Sequence, residues 1–316
     1  MALSILTLIA GFGLLIFGAN LLVTGASGLA RKWGVSDLVV GLTVVAFGTS
    51  LPELTVNSFN SMAGMNEAVF GNIIGSNIFN VALILGIVGL IYPIKVERRS
   101  VAYEIPFSIV VSLVLVILLN DHLLFKSDDL LSRWDAVILL LLFVCFAIYI
   151  FKSTGTDTTQ DSIGTKSMGV LFLFMVGGLT LLVSGGYLTT ESAVNLAEIL
   201  GMSETLIALT ILSIGTSLPE LVTSSVAAFK RNADIAVGNV IGSNIFNISF
   251  ILGVSGVIHP VAYDNALNKD IFVMILASGL LMVAMFSGGK MKLDRWEAVI
   301  LLACYVMYSI FIILRN

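Results

Sequence analysis

Two glutamates carry the strongest chemical signal in this chain. Glu53 and Glu220 each end a Gly-Thr-Ser-Leu-Pro-Glu run and fall deep within long apolar stretches. An ionisable group at the centre of a bilayer costs a few kcal/mol at least and is normally retained for a function. On helical spacing Thr49 and Ser50 share a face with Glu53, and Thr216 and Ser217 share one with Glu220. Pro52 and Pro219 have no N–H, so the carbonyls of Gly48 and Gly215 lose their helical partners and the helix breaks there. Freed carbonyls at membrane depth are tolerated where they face a cavity or an ion. Carboxylate, hydroxyl and carbonyl oxygens together make a hard-cation site for Ca²⁺ or Na⁺, without the soft ligands that favour zinc or copper. The plainer alternatives are a carboxyl hydrogen-bonded to a neighbouring helix and hydroxyls bonded back to their own backbone.

A second set of oxygens lies in GNIIGSNIFN (71–80) and GNVIGSNIFN (238–247). Ser76 and Asn80 are four apart, as are Ser243 and Asn247, so each pair shares a helical face. Asn72, Asn77, Asn239 and Asn244 are further amides in the same stretches. For Asn77 and Asn244, ion binding and interhelical hydrogen bonding through close-packed Gly71, Gly75, Gly238 and Gly242 are equally open readings.

Such groups need a membrane scaffold to hold them, and the composition supplies one. Of 316 residues 58% are hydrophobic and 11% charged, and the mean hydropathy is +1.04. Soluble domains carry about 25% charged residues, so a soluble globular enzyme is excluded. Apolar runs divide the chain into ten expected helices at about 4–27, 38–62, 69–92, 101–120, 134–151, 167–189, 202–228, 234–258, 270–287 and 296–314. With this division twelve of the 16 basic residues fall in one set of alternate loops and four in the other. The positive-inside rule then places both termini outside the cytoplasm.

The chain also repeats itself. GTSLPEL at 48–54 recurs unchanged at 215–221, and the Gly-Asn motif recurs at the same offset with nine of ten positions identical. That offset also maps Gly34 to Gly201, Thr43 to Thr210 and Pro93 to Pro260. The reading is an all-α polytopic membrane protein of ten helices in two five-helix repeats, 1–151 and 167–316, joined by a polar cytoplasmic linker at 152–166. An odd number of spans per copy inverts the second, which is the signature of secondary transporters with a midplane binding site.

Other residue types narrow the function. A net charge of −4 argues against a nucleic-acid partner. Cys145 and Cys304 read as small buried hydrophobes. His122 and His259 fall in expected external loops, so neither serves an intramembrane hydrolase, and no cofactor is expected. Trp33, Trp134 and Trp296 sit beside basic residues as interfacial anchors. The N-terminal stretch has no basic flank before it and reads as a first span rather than a signal peptide.

GTSLPE followed by GN-x-x-GSN-x-x-N, twice in a ten-helix chain, resembles the two alpha-repeats (here 34–93 and 201–260) of the cation/Ca²⁺ antiporter superfamily, and is most similar to its prokaryotic sodium/calcium exchangers. The resemblance implies eight helices around four central cation sites, with the first and sixth helices as a mobile pair against them. By motif position it implies Glu53, Thr49, Ser50, Ser76 and Asn80 with Glu220, Thr216, Ser217, Ser243 and Asn247 as ligands, completed by the carbonyls of Ala46 and Ser213. Asn247 stands where potassium-dependent and some archaeal relatives carry Asp, and Ser213 stands where the first copy has Ala46. The expected activity is export of Ca²⁺ against inward Na⁺ across the cytoplasmic membrane, by a protein acting as a monomer with the two ions as substrates. A proton- or other-cation-coupled exchanger on the same site is the alternative. A cation channel relies on rings of oxygens and oligomeric symmetry, against which an internal inverted repeat argues.

Overall fold

Within a bilayer each backbone N–H and C=O must find its partner inside the protein, so apolar stretches of this length fold as helices. The computed structural model describes residues 2–95, 100–120, 129–152, 166–201, 213–286 and 291–315. The main elements in chain order are α1 Ala2–Trp33, α2 Asp37–Thr49, α3 Leu51–Met62, α4 Asn66–Ile91, β1 Ile94–Lys95, α5 Ile105–Leu119, β2 Leu130–Leu131 and α6 Arg133–Lys152. They continue with α7 Met168–Ile199, α8 Ser213–Thr216, α9 Leu218–Phe229, α10 Ala233–Ile258, β3 Val261–Ala262, α11 Asn268–Phe286, β4 Lys292–Leu293 and α12 Arg295–Arg315. Among the described residues eight helices are long and apolar enough to cross a membrane, and the sharply bent pair α2 and α3 counts as a ninth span. Part of the expected helix 202–228 lies outside the described residues; its described remainder is α8 and α9.

Helices α1 and α7 overrun their expected ends, reaching Trp33 and Ile199 rather than 27 and 189. Hydropathy fades over their last turns, but nothing there stops a helix until a glycine follows. Gly34 and Gly201 adopt φ of 69° and 80°, the left-handed conformation that ends helices and that glycine takes without steric cost. At 1.5 Å per residue each 32-residue helix is about 48 Å long. That exceeds a hydrocarbon core of about 30 Å, so the helices tilt or project beyond it.

The chain divides into two compact units, and these are not the two sequence repeats. One comprises Met1–Pro52 with Thr154–Asn239, the other Glu53–Ser153 with Val240–Asn316. In the first unit α1 lies along α7, with α2 and α9 packed on α1. The two long helices approach closely through glycine. A methyl group at Gly18 would sit 2.8 Å from the Gly178 carbonyl oxygen, and one at Gly178 would sit 2.6 Å from the Leu22 nitrogen. Leu15, Ala19, Leu22, Ala26 and Leu29 fill the rest of that seam on α1. Gly11, Gly18 and Gly25, seven positions apart, all meet the α7 backbone this closely, whereas Gly13 and Gly177 meet nothing within 4 Å. Those at the seam hold α1 to α7.

The second unit is built on α4 and the body of α10. In the most apolar window of each of these helices 78% of residues are buried, against 22–28% for α1, α6, α7 and α12. Within this unit α12 covers the end of α4, α6 covers the end of α10, and α11 packs on α5. Two short antiparallel ribbons, absent from the sequence reading, tie the loops. β1 pairs with β4 (Ile94 opposite Leu293) and β2 with β3 (Leu130 opposite Ala262). Each joins a loop of one repeat to a loop of the other.

The cysteine expectation is overturned. Cys145 on α6 is exposed and Cys304 on α12 half-exposed, because both helices turn much of their apolar surface outward, where lipid rather than protein is the apolar medium. Trp33, Trp134 and Trp296 are exposed at helix ends, as anchors are. His259 is exposed after α10, and His122 lies outside the described residues.

Candidate cation-binding site

The Thr-Ser-Leu-Pro-Glu runs break their helices as the prolines require. Ser50 takes φ −86° and ψ 9°, and Ser217 takes φ −90° and ψ 4°. Pro52 and Pro219 then stand in the first turns of α3 and α9, where a missing N–H costs nothing. Glu53 and Glu220 follow them in those same first turns, where the helix dipole favours negative charge. The shared face expected for Thr49, Ser50 and Glu53 assumed one continuous helix. The break at Ser50 ends α2 at Thr49 and starts α3 before Glu53, so the spacing argument fails there, and likewise for Thr216, Ser217 and Glu220.

In the first unit Thr49, Ser50, Ser217 and Glu220 are buried, with at most 1% of each exposed, and Thr216 is half-buried. Ser50 Oγ donates to Glu220 Oε1 at 3.0 Å, so a hydroxyl of one motif copy reaches the carboxylate of the other. Thr49 Oγ1 lies 3.1 Å from the Val45 carbonyl and 3.0 Å from Asn239 Oδ1. The plain alternative of back-bonding therefore holds in part for Thr49. A hydroxyl that gives its proton to the protein still presents its lone pairs to a cation. Asn239 in turn donates to Ser224 Oγ at 3.0 Å. The Ala46 carbonyl already accepts the Ser50 N–H at 3.0 Å and lies 3.3 Å from Thr49 Oγ1, so an ion there would compete with the Thr49 hydroxyl. Ser213 opens α8, and the expectation for its hydroxyl lies outside the described residues.

In the second unit Glu53, Ser76, Asn80, Ser243 and Asn247 are all buried. Asn80 and Asn247 are each the second residue of a π-helical turn, Phe79–Ile84 in α4 and Phe246–Ile251 in α10. Such widened turns recur at functional sites, and no periodicity in the sequence announces them. The two amides are oriented identically. Asn80 Nδ2 donates to Asn244 Oδ1 at 3.0 Å, and Asn247 Nδ2 donates to Asn77 Oδ1 at 3.1 Å. Asn244 Nδ2 then donates to the Asn77 carbonyl at 3.2 Å, and Asn77 Nδ2 to Met274 Sδ at 3.6 Å. Asn77 and Asn244 thus make interhelical hydrogen bonds, although Gly71 and Gly75 meet nothing within 4 Å and supply no close packing there, and the bonds have a consequence for Asn80 and Asn247. With their NH₂ groups tied down, the Oδ1 atoms of Asn80 and Asn247 are buried and accept no hydrogen bond among the described residues. A buried amide oxygen without a donor costs about 1–3 kcal/mol. A cation removes that cost.

Burial alone does not single out the glutamates. Glu104, Asp270 and Glu297 are also buried, though near helix ends. Asp270 pairs with Arg315 at 2.7 Å and accepts from the Tyr308 hydroxyl at 3.0 Å. Glu104 accepts from the Tyr149 hydroxyl at 2.8 Å, and Glu297 from the Asp294 N–H at 2.8 Å. These are structural carboxylates. Each lies near a helix end with a partner close in sequence or on an adjoining helix, whereas Glu53 and Glu220 lie at interior helix breaks.

Comparison with known proteins identifies the family. The model of the sodium/calcium exchanger protein family matches residues 3–152 and 170–314. The chain is 36% identical to the putative antiporter CaxA of Alkalimonas amylolytica, over 95% of each chain. It is 32% identical to the sodium/calcium exchanger MaX1 of Methanosarcina acetivorans, over 96% of this chain and 97% of that one. A solved structure of the sodium-calcium exchanger NCX_Mj, soaked with Na⁺ and Sr²⁺, superposes with a TM-score of 0.85 at 30% identity over 97% of each chain. With matches over nearly its whole length, the chain belongs to the family of sodium/calcium exchanger proteins.

Proposed function

We propose that this protein is a secondary active antiporter that exports Ca²⁺ from the cytoplasm in exchange for inward Na⁺, by alternating access across the cytoplasmic membrane. Its framework in this reading is ten spans as two inverted five-helix repeats with both termini outside, working as a monomer. The transported ions bind to Glu53, Thr49, Ser50, Ser76 and Asn80 and to Glu220, Thr216, Ser217, Ser243 and Asn247, with the carbonyls of Ala46 and Ser213 completing the sodium sites. The observation that carries the reading is the orientation of Asn80 and Asn247. Two repeat-related amide oxygens are held buried, without hydrogen bonds among the described residues, in a chain whose interior helix breaks carry Glu53 and Glu220. Two carboxylates supply a charge of −2, which one Ca²⁺ neutralises. Several Na⁺ occupy the same oxygens in its absence, so the two loads compete. That competition is the differential binding on which coupling depends. No bond is made or broken in the protein.

Membrane vesicles loaded with Na⁺ and diluted into Na⁺-free medium containing radioactive Ca²⁺ test the proposal. Uptake that collapses when the Na⁺ gradient is removed supports it. Uptake that follows an imposed pH gradient instead, and ignores Na⁺, identifies the proton-coupled alternative. Flux that needs no opposing gradient identifies a channel.

A further inference from the structure

A basic cavity of about 330 Å³ opens at one end of the first unit. Its walls carry Arg31 and Lys32 from the last turn of α1, Lys166 just before α7, and Lys230 just after α9, with the polar groups of Thr24 and Asn232 between them. Among the described residues Arg31, Lys32, Lys166 and Lys230 form no salt bridge. Asp37 lies nearby, accepting from the Asn232 amide at 2.7 Å, and its charge offsets part of that of Arg31, leaving Lys32, Lys166 and Lys230 as the cations without a carboxylate beside them. Lys230 is exposed but lies over α1, donating to the Asn20 carbonyl at 2.9 Å and to Thr24 Oγ1 at 2.7 Å. An ammonium has three protons, so one remains for a ligand. Burial, and then the charge of Lys166, pull the Lys230 ammonium below the usual lysine value.

Helix dipoles account for part of this cluster only. Arg31, Lys32 and Lys230 complement helix C-termini, but Lys166 precedes the N-terminus of α7, where a cation is disfavoured. That N-terminus, capped by Ser167 and contributing Leu171 to the cavity wall, itself attracts anions. A second, apolar groove continues from the same spot. It is lined by Ile16 and Phe17 of α1 with Val226 and Phe229 of α9, and it shares Lys230 with the basic cavity. Ile16, Phe17 and Phe229 are well exposed there. From Phe17 to Arg31 along α1 is on the order of 20 Å, the span of a lipid headgroup with much of an acyl chain.

We propose that the basic cavity and the adjoining groove on α1 and α9 form a binding site for one anionic phospholipid, its phosphate among Arg31, Lys32, Lys166 and Lys230 and an acyl chain along Phe17 and Phe229. Basic pockets between membrane helices bind anionic headgroups in this way. The bias of basic residues assigns this end of the helices to the cytoplasmic leaflet. The site shares no residue with the proposed cation ligands, so its test reads binding rather than transport.

The full-length protein, purified in a neutral detergent, is titrated with short-chain phosphatidylglycerol, short-chain phosphatidylcholine and inorganic phosphate while its unfolding temperature is followed. Phosphatidylglycerol raises the unfolding temperature by several degrees, phosphatidylcholine leaves it unchanged, and phosphate alone gives a small part of the rise. Lys32→Gln and Lys166→Gln each weaken the phosphatidylglycerol response about fivefold in concentration, from about 1 kcal/mol per charge. Equal responses to both lipids overturn the proposal. So does a full response to phosphate alone, which makes the cavity a small-anion site, and so do variants that respond as the wild type. If a variant fails to fold, the three-ligand comparison on the wild type still decides.

Discussion

Glutamine keeps the shape of glutamate and removes its charge, so it isolates what the carboxylates contribute. Glu53→Gln or Glu220→Gln is expected to reduce Na⁺-driven Ca²⁺ uptake to the background of protein-free vesicles, in protein that elutes and unfolds as the wild type does. Near-normal uptake in either well-folded variant overturns the site assignment. The amides behave differently, because Asn77 and Asn244 act by holding Asn80 and Asn247. Partners that orient a metal ligand typically contribute 10–100-fold in affinity. Asn77→Ala and Asn244→Ala are therefore expected to raise the Ca²⁺ concentration for half-maximal uptake by about 10–100-fold, with a smaller effect on maximal rate. A fall in maximal rate at unchanged half-saturation would show that these amides matter only for packing. At Asn247 the neutral side chain predicts exchange that needs no K⁺. Asn247→Asp adds a third buried titratable carboxyl and replaces the donor that now faces Asn77 Oδ1 with an acceptor. Its flux is expected to become more sensitive to pH than that of the wild type, and an unchanged pH profile places residue 247 outside the cation cluster.

The close approach of α1 and α7 has a consequence for movement. Helices meeting at Gly18 and Gly178 with less than a methyl group's clearance interlock and are expected to move as one body. Thr7 Oγ1 and Ser192 Oγ lie 2.7 Å apart on these two helices, a geometry that paired cysteines can bridge. The crosslinked Thr7→Cys/Ser192→Cys protein is expected to keep its exchange activity within about twofold of the reduced protein, since a factor of two is about 0.4 kcal/mol. Loss of transport on oxidation, regained on reduction, would show instead that α1 and α7 slide past each other. The helix breaks at Ser50 and Ser217 and the π turns at Phe79–Ile84 and Phe246–Ile251 recur at equivalent positions of the two repeats. The breaks fall in the identical seven-residue motif, and each π turn begins at the Phe-Asn that ends the ten-residue motif, so equivalent sequence adopts the same irregular helix in both copies.

For the molecule as a whole, the asymmetry of basic residues is the main determinant of orientation. Twelve of the 16 lie in the loops assigned to the cytoplasm, and Lys95 and Lys292 meet there in the β1–β4 ribbon. Both termini are expected outside. Single cysteines added at each end, in a Cys145→Ala/Cys304→Ala background, should react in intact cells with a membrane-impermeant maleimide, while one added in the 152–166 linker should not. Labelling of the linker alone would invert the topology and with it the direction assigned to Ca²⁺.

Membrane class, repeat structure, the broken helices and the acidic and hydroxyl candidates were legible from residue order. Each is a local property: hydropathy, an identical motif, or a proline whose missing N–H acts on its own turn. Glu53 and Glu220 stood out because a charge inside an apolar stretch is costly wherever the chain folds. What residue order did not decide was which groups pair across helices. The direction of Asn80 and Asn247 depends on Asn244 and Asn77 more than 160 positions away, and the closeness of α1 and α7 depends on glycines of both repeats meeting along their length, Gly11 with Gly185 and Gly18 with Gly178. Cys145 and Cys304 were misjudged for the same reason. Hydropathy reports how apolar a helix is, and only tertiary packing decides whether an apolar side chain faces protein or lipid.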